Sequence, residues 1–126
     1  MAQDVFVSFD YDHDARLKDL LIGQARLPDS PFEVADWSVK TASPTWREDA
    51  RRRIRRCDQV IVLCGQHTAS ATGVSAEIEI ARDEGTPYFL LKGYNVTCQR
   101  PTAALASDKL YDWTWDNLKL LIAGNR

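Results

Sequence analysis

Glu77 is the residue that fits its surroundings least. From about Gly73 to Glu84 the chain reads as a helix. At about 100° per residue, Val74, Ile78, Ile80 and Ala81 share an arc of roughly 160° that should face a sheet. Glu77 falls inside that arc, whereas Glu79 points towards solvent. A carboxylate among apolar side chains is costly unless it is paired or functional. The nearby helix N-terminus favours the anion, and loss of water raises the pKa. Opposed influences of that kind suit a carboxylate that handles a proton or a cationic intermediate. A structural Glu tied to backbone donors or to an arginine leaves the same pattern, so both readings stand at this point.

Other chemistry-bearing residues give weaker signals. Asp10, Asp12 and Asp14 resemble the acidic site of a receiver domain. Such a site needs its acceptor Asp after the third strand, where this chain has Gly65-Gln66-His67, and a Lys after the fifth, where none stands. His13 and His67 have no Cys or carboxylate at ligand spacing; they are expected at the surface, with no metal. Gly65 to Gly73 lacks the phosphate-loop pattern, and Ser70 and Ser75 lack a nucleophile elbow. Arg47, Arg51, Arg52, Arg53, Arg55 and Arg56 surround a helix whose apolar stripe is Trp46, Ala50, Ile54 and Cys57. With a net charge of −2, that basic face reads as solvated or as a self-association surface, not as a nucleic-acid patch.

The elements that must position these residues alternate along the chain. Val5 to Phe9 is a short β-branched and aromatic run, and Leu17, Leu20, Leu21 and Ala25 recur at helical spacing before Pro28. Phe32 to Ala35 is a second strand running into Asp36-Trp37-Ser38. The arginine helix follows, with Thr45 and Glu48 as a capping box. Gln59 to Cys64 is apolar nearly throughout, as in a strand covered on both faces. The Glu77 helix ends at Gly85, Pro87 to Leu91 is a fourth strand and Lys109 to Tyr111 a short fifth. A last helix carries Leu118, Leu121 and Ile122, with Thr114 as its cap. Alternation of this kind implies parallel strands and right-handed crossovers, hence an α/β, flavodoxin-like doubly wound sheet of about five strands flanked by helices. Ligands then sit beyond the carboxyl ends of the strands, at Ser8 to Asp12, Asp36 to Trp46, Gly65 to Gly73 and Lys92 to Asn95.

At 126 residues, with 44% hydrophobic and 27% charged residues, the chain is one domain with a real core. Three cysteines, none in a CxxC spacing, fit reduced thiols in a cytoplasmic protein. No apolar run approaches the roughly 18 residues of a membrane span.

Three segments together resemble a known family. Asp4-Val5-Phe6-Val7-Ser8-Phe9 resembles the first box of TIR domains, and Ile54 to Leu63 resembles their helix-to-strand passage into an apolar central strand. Val74-Ser75-Ala76-Glu77-Ile78-Glu79-Ile80-Ala81 resembles the helix that carries the catalytic glutamate. With Asp36-Trp37-Ser38 and Tyr111-Asp112-Trp113-Thr114-Trp115, the likeness is to the TIR-like proteins of bacterial Thoeris antiphage systems and covers nearly the whole chain.

The resemblance implies NAD as substrate, cleaved at the nicotinamide–ribose bond, with Glu77 catalytic and no other cofactor or metal. It implies a cyclic ADP-ribose signal that activates a separate effector during phage infection, and self-association as a homo-oligomer. Phe9, Asp10, Tyr11, Asp36, Trp37, Ser38 and Trp46 would wall the NAD pocket. Gly73 stands where many NAD-cleaving TIR domains carry an aromatic, which leaves the aromatic partner of Glu77 open. Two further classes remain beside this one: a non-catalytic TIR-like assembly module, and a nucleoside deoxyribosyltransferase-like enzyme.

Overall fold

The computed structural model describes residues 2–40, 43–93 and 97–126. Tyr94 and Asn95, among the positions where a ligand is expected, lie outside the described residues. In chain order the elements are β1 (Gln3–Ser8), α1 (Ala15–Ala25), β2 (Phe32–Trp37), α2 (Trp46–Arg55), β3 (Gln59–Cys64), α3 (Thr72–Asp83), β4 (Tyr88–Lys92), β5 (Leu110–Tyr111) and α4 (Trp115–Ile122). The strands form one sheet in the order β2-β1-β3-β4-β5, and every pairing is parallel. This is the flavodoxin-like order, and its direction reverses between β1 and β3.

That reversal decides which helix covers which face. Right-handed crossovers put α1 on one side of the sheet and α2 and α3 on the other. Strand residues divide between the two faces by simple alternation. Val5, Val7, Ile61, Leu63, Phe89 and Leu91 pack with α1 and α4, through Leu17, Leu21, Leu118 and Leu121. Phe6, Val60, Val62, Cys64 and Leu90 pack with α2 and α3, through Ala50, Ile54, Val74, Ile78 and Ala81. Ser8 follows Phe6 by two and so faces α3.

One irregularity matters for the site. β1 and β2 pair Val5 with Val34 but Phe6 with Asp36, so Ala35 is an extra residue in β2. A one-residue slip sends every later side chain to the opposite face. Before the bulge, Phe32 and Val34 pack on the α1 face. Beyond it, Asp36 meets Arg53 of α2 at 3.6 Å, and Ser38 reaches α3. Trp37 is turned the other way, into a groove with Ile22 and Ala25 of α1, where Lys18 Nζ lies 5.4 Å from its ring.

The end of α3 and the start of α4 follow local chemistry, and the start of α2 does not. Gly85 has φ +69°, and the amides of Gly85 and Thr86 bond the carbonyls of Arg82 and Ala81, closing α3 with a Schellman motif. Thr114 caps α4 by accepting the Asn117 N–H at 3.1 Å. The capping box expected at Thr45 and Glu48 does not form. Thr45 Oγ1 is engaged instead with Ser43 Oγ at 2.9 Å and Asp49 Oδ2 at 3.4 Å, so no side chain caps α2.

Arg47, Arg52, Arg55 and Arg56 are solvent-exposed, as expected of a solvated face, and most arginines of α2 also form ion pairs. Arg51 and Arg55 both bond Glu84 at 2.7 Å, Arg47 meets Glu79 at 3.9 Å, Arg53 meets Asp36, and Arg52 pairs with Asp49. The basic helix is matched to the acidic flank of α3. Arg55 and Arg51 hold the Glu84 carboxyl down at about 2. A carboxylate with a depressed pKa adds stability above its unfolded pKa, and the contribution is lost as pH falls through the folded value. Glu84→Gln is therefore expected to melt below wild type at pH 7. The gap should shrink as the pH falls towards 2 and narrow in high salt. A gap in melting temperature that ignored both pH and salt would mean that packing, and not charge, joins the two helices.

Candidate active site

Glu77 sits in the second turn of α3, on the face turned to the sheet, and is only 1% exposed. Ser8 Oγ, at the end of β1, donates to its Oε1 at 2.7 Å. Ser38 Oγ, just past β2, donates to the same oxygen at 2.6 Å. Ser38 is itself fixed, because its N–H bonds Val7 O and its Oγ accepts the Phe9 N–H at 3.0 Å. The opposed influences on the carboxyl resolve in favour of desolvation, which with the charge of Asp36 outweighs the two hydroxyls and Arg53. Glu77 lies past the first helical turn, where the dipole acts most strongly. Its pKa is pushed up to about 8, so the resting side chain is neutral at pH 7.

Glu77 lies in the wall of a cleft of about 220 Å³ at the carboxyl ends of the strands. The cleft is also lined by Phe9, Asp10, Tyr11, Ser38 and Trp46, so six of the eight site residues expected from sequence come together here. Trp46 is half-buried, held by a 3.3 Å bond from Nε1–H to Val39 O. Asp36 and Trp37 do not line the cleft, for the reason the bulge supplies. The opposite rim is the start of α3, from Ala71 to Val74, including Gly73.

Two features of the site were not legible. Ser8 heads the Ser8 to Asp12 segment expected near a ligand, but its bond to Glu77 is not visible in the sequence. His13 is exposed, as expected, and also lines the cleft: its Nδ1 is 2.7 Å from Asp10 Oδ2, and its ring stacks on His67 with centroids 4.0 Å apart. The spacing of Asp10 and His13 across a tight turn could have signalled that pair. Among the described residues no group of three or more His, Cys, Asp or Glu side chains is arranged to hold a metal.

Beneath the rim, Asp14 packs against Gly65, the first residue after β3. Asp14 is 7% exposed, and its Oδ2 is the one buried side-chain oxygen or nitrogen without a hydrogen bond among the described residues. Burial, then the charge of Asp10, raises its pKa. A Cβ on Gly65 would stand 2.5 Å from Oδ1 and 2.6 Å from Oδ2. Gly65→Ala is expected to cost roughly 1–3 kcal/mol, the usual penalty of overpacking. Adding Asp14→Ala should recover most of it. Urea unfolding of the single and double variants checks this coupling, and strictly additive effects would refute it.

A doubly wound parallel sheet carrying a buried carboxylate into the crevice beyond its strand ends defines the class: a TIR-like α/β domain. The chain belongs to the family of the TIR-like domain of Thoeris protein ThsB, whose model matches residues 6–95 and so spans Ser8, Ser38 and Glu77. No curated protein matches the chain. Among solved structures, the crystal structure of a prokaryotic SEFIR domain is similar, with a TM-score of 0.54 over 97% of each chain at 17% identity. A likeness at that identity speaks for the fold alone.

Proposed function

We propose that the chain cleaves NAD at the nicotinamide–ribose bond, with Glu77 as the catalytic carboxylate. The observation that carries this reading is a glutamate 1% exposed, in the wall of a cleft at the strand ends, with two hydroxyls holding one of its oxygens. Loss of nicotinamide breaks the C1′–N bond. The bonding pair returns to the pyridinium nitrogen, which leaves neutral, and positive charge develops on the ribose. A carboxylate fixed beside that carbon stabilises the charge without reorganising. The substrate helps to create its own catalyst, because the cationic ring entering the cleft favours ionised Glu77. A cleft of about 220 Å³ is smaller than the roughly 300–1,000 Å³ that buries a drug-sized ligand. On this reading it takes the nicotinamide ribose and leaves the adenylate outside.

Membership of the ThsB family supports placing this reaction in antiphage defence. There the product is a cyclic ADP-ribose-type messenger made in the cytoplasm and read by a separate effector. Self-association would supply the aromatic wall that Gly73 does not. The competing assembly reading drew on the loops and the basic face of α2, where four arginines already pair with α3, Glu84 or Asp36. The deciding experiment incubates concentrated protein with NAD and separates products by chromatography and mass. Nicotinamide with an ADP-ribose-sized partner establishes the reaction. Silence here and in lysate from phage-infected cells overturns it.

A further inference from the structure

Both hydroxyl bonds to Glu77 end on the same atom, Oε1. The bond from Ser38 Oγ to Glu77 Oε1, at 2.6 Å, is far shorter than its alternative to Val7 O, at 3.5 Å. Ser38 Oγ also accepts the Phe9 N–H at 3.0 Å, so its own proton is the one given to the carboxyl. Ser8 is wholly buried at the end of β1, on the face covered by α3. A carboxyl oxygen has two lone pairs, and two donors fill them. A proton on the resting carboxyl therefore belongs on Oε2. The same clamp fixes the plane of the group in either protonation state.

We propose that Ser8 and Ser38 are positioning residues that grip Oε1 and leave Oε2 as the oxygen that carries the exchangeable proton and meets the cationic ribosyl group. The charges facing the carboxyl from neighbouring elements are Arg53 on α2, which favours the anion, and Asp36 on β2, which opposes it. Asp10, Asp12, His13 and Lys40 line the cleft. None of these replaces a hydroxyl donor, so each serine is expected to stabilise the ionised form. Ser8→Ala removes one donor and nothing else the structure records, whereas Ser38→Ala also strips the Phe9 N–H of its acceptor. The role in catalysis rests on the reading of Glu77 given above; the clamp itself does not.

The test therefore reads the proton directly. Protein labelled with ¹³C at the glutamate side-chain carboxyl is titrated by NMR, and Glu77→Gln identifies the Glu77 resonance. Wild type is expected to titrate at about 8. In Ser8→Ala and in Ser38→Ala the midpoint should rise by roughly one pH unit. In parallel NAD assays Ser8→Ala should lower kcat about tenfold while KM stays within about twofold. Midpoints unchanged in folded Ser8→Ala protein would overturn the proposal, and that variant decides if Ser38→Ala fails to fold. A shifted midpoint in protein that leaves NAD intact keeps the clamp and removes the catalytic reading. NAD turnover with an unshifted midpoint does the reverse.

Discussion

Glu77→Gln is expected to lower NAD cleavage by roughly a thousandfold or more, without loss of the fold. A single preorganised donor at a developing charge is worth about 10²–10³ in rate, and a full charge in a closed site should exceed that. Gln is the informative replacement because it keeps the volume and an oxygen at the Oε1 position, where Ser8 and Ser38 donate. What it removes is the ability to become an anion. The pH profile carries a second signature. Because Glu77 rests neutral up to about 8, kcat/KM of wild type should climb about tenfold per pH unit below that value and level off above it. The residual rate of the variant should be flat over the same range. Nicotinamide release followed by chromatography from pH 5 to 9 reads both. Wild-type rates in the variant would remove Glu77 from the reaction altogether.

How far the site could be read from sequence depends on which periodicity placed each residue. Glu77 was legible because helical spacing is rigid: once Val74, Ile78 and Ala81 face the sheet, Glu77 has no other direction. The order of elements was legible for the same reason, since strands and helices alternate with clear apolar patterns. Ser8 was named at the strand end, but its bond to Glu77, though within reach, was missed. Strand alternation places it with Phe6 and against Val7, and a right-handed crossover puts α3 on that side. Asp36, Trp37 and Ser38 show where such reasoning stops. They were treated as one segment entering one pocket. The extra residue at Ala35 reverses the alternation beyond Val34, sending Ser38 and Asp36 to the α2 and α3 face and Trp37 to the α1 face. Nothing in Glu33-Val34-Ala35-Asp36 announces a bulge. It exists because of how β2 pairs with β1, which is a tertiary fact. The ion pairs of the α2 arginines failed to read for a related reason. Their acidic partners on α3 and at its C-terminal end lie 29 to 33 residues further on, so the pairs show only once the two helices stand side by side.

The same substitution that silences the site is expected to strengthen the fold, with a dependence on pH that identifies the cause. An ordinary glutamate titrates near 4.5, and folding raises Glu77 to about 8. Between those values the unfolded chain has released the proton and the native protein still holds it, so native stability falls as pH rises. From the two pKa values, the cost at pH 7 is about 3 kcal/mol, at roughly 1.4 kcal/mol per pH unit. Gln bears no charge in either state and escapes that cost. Thermal unfolding of wild type and Glu77→Gln should then coincide near pH 4 and diverge upwards, the variant melting roughly 10 °C higher at pH 7. The divergence should stop growing above about pH 8, where both states of wild type are ionised. If the variant instead melted lower at neutral pH, Glu77 would be an ionised structural anchor. Stability gained and turnover lost in one substitution is the mark of a residue kept in place by its chemistry and against the interest of the fold.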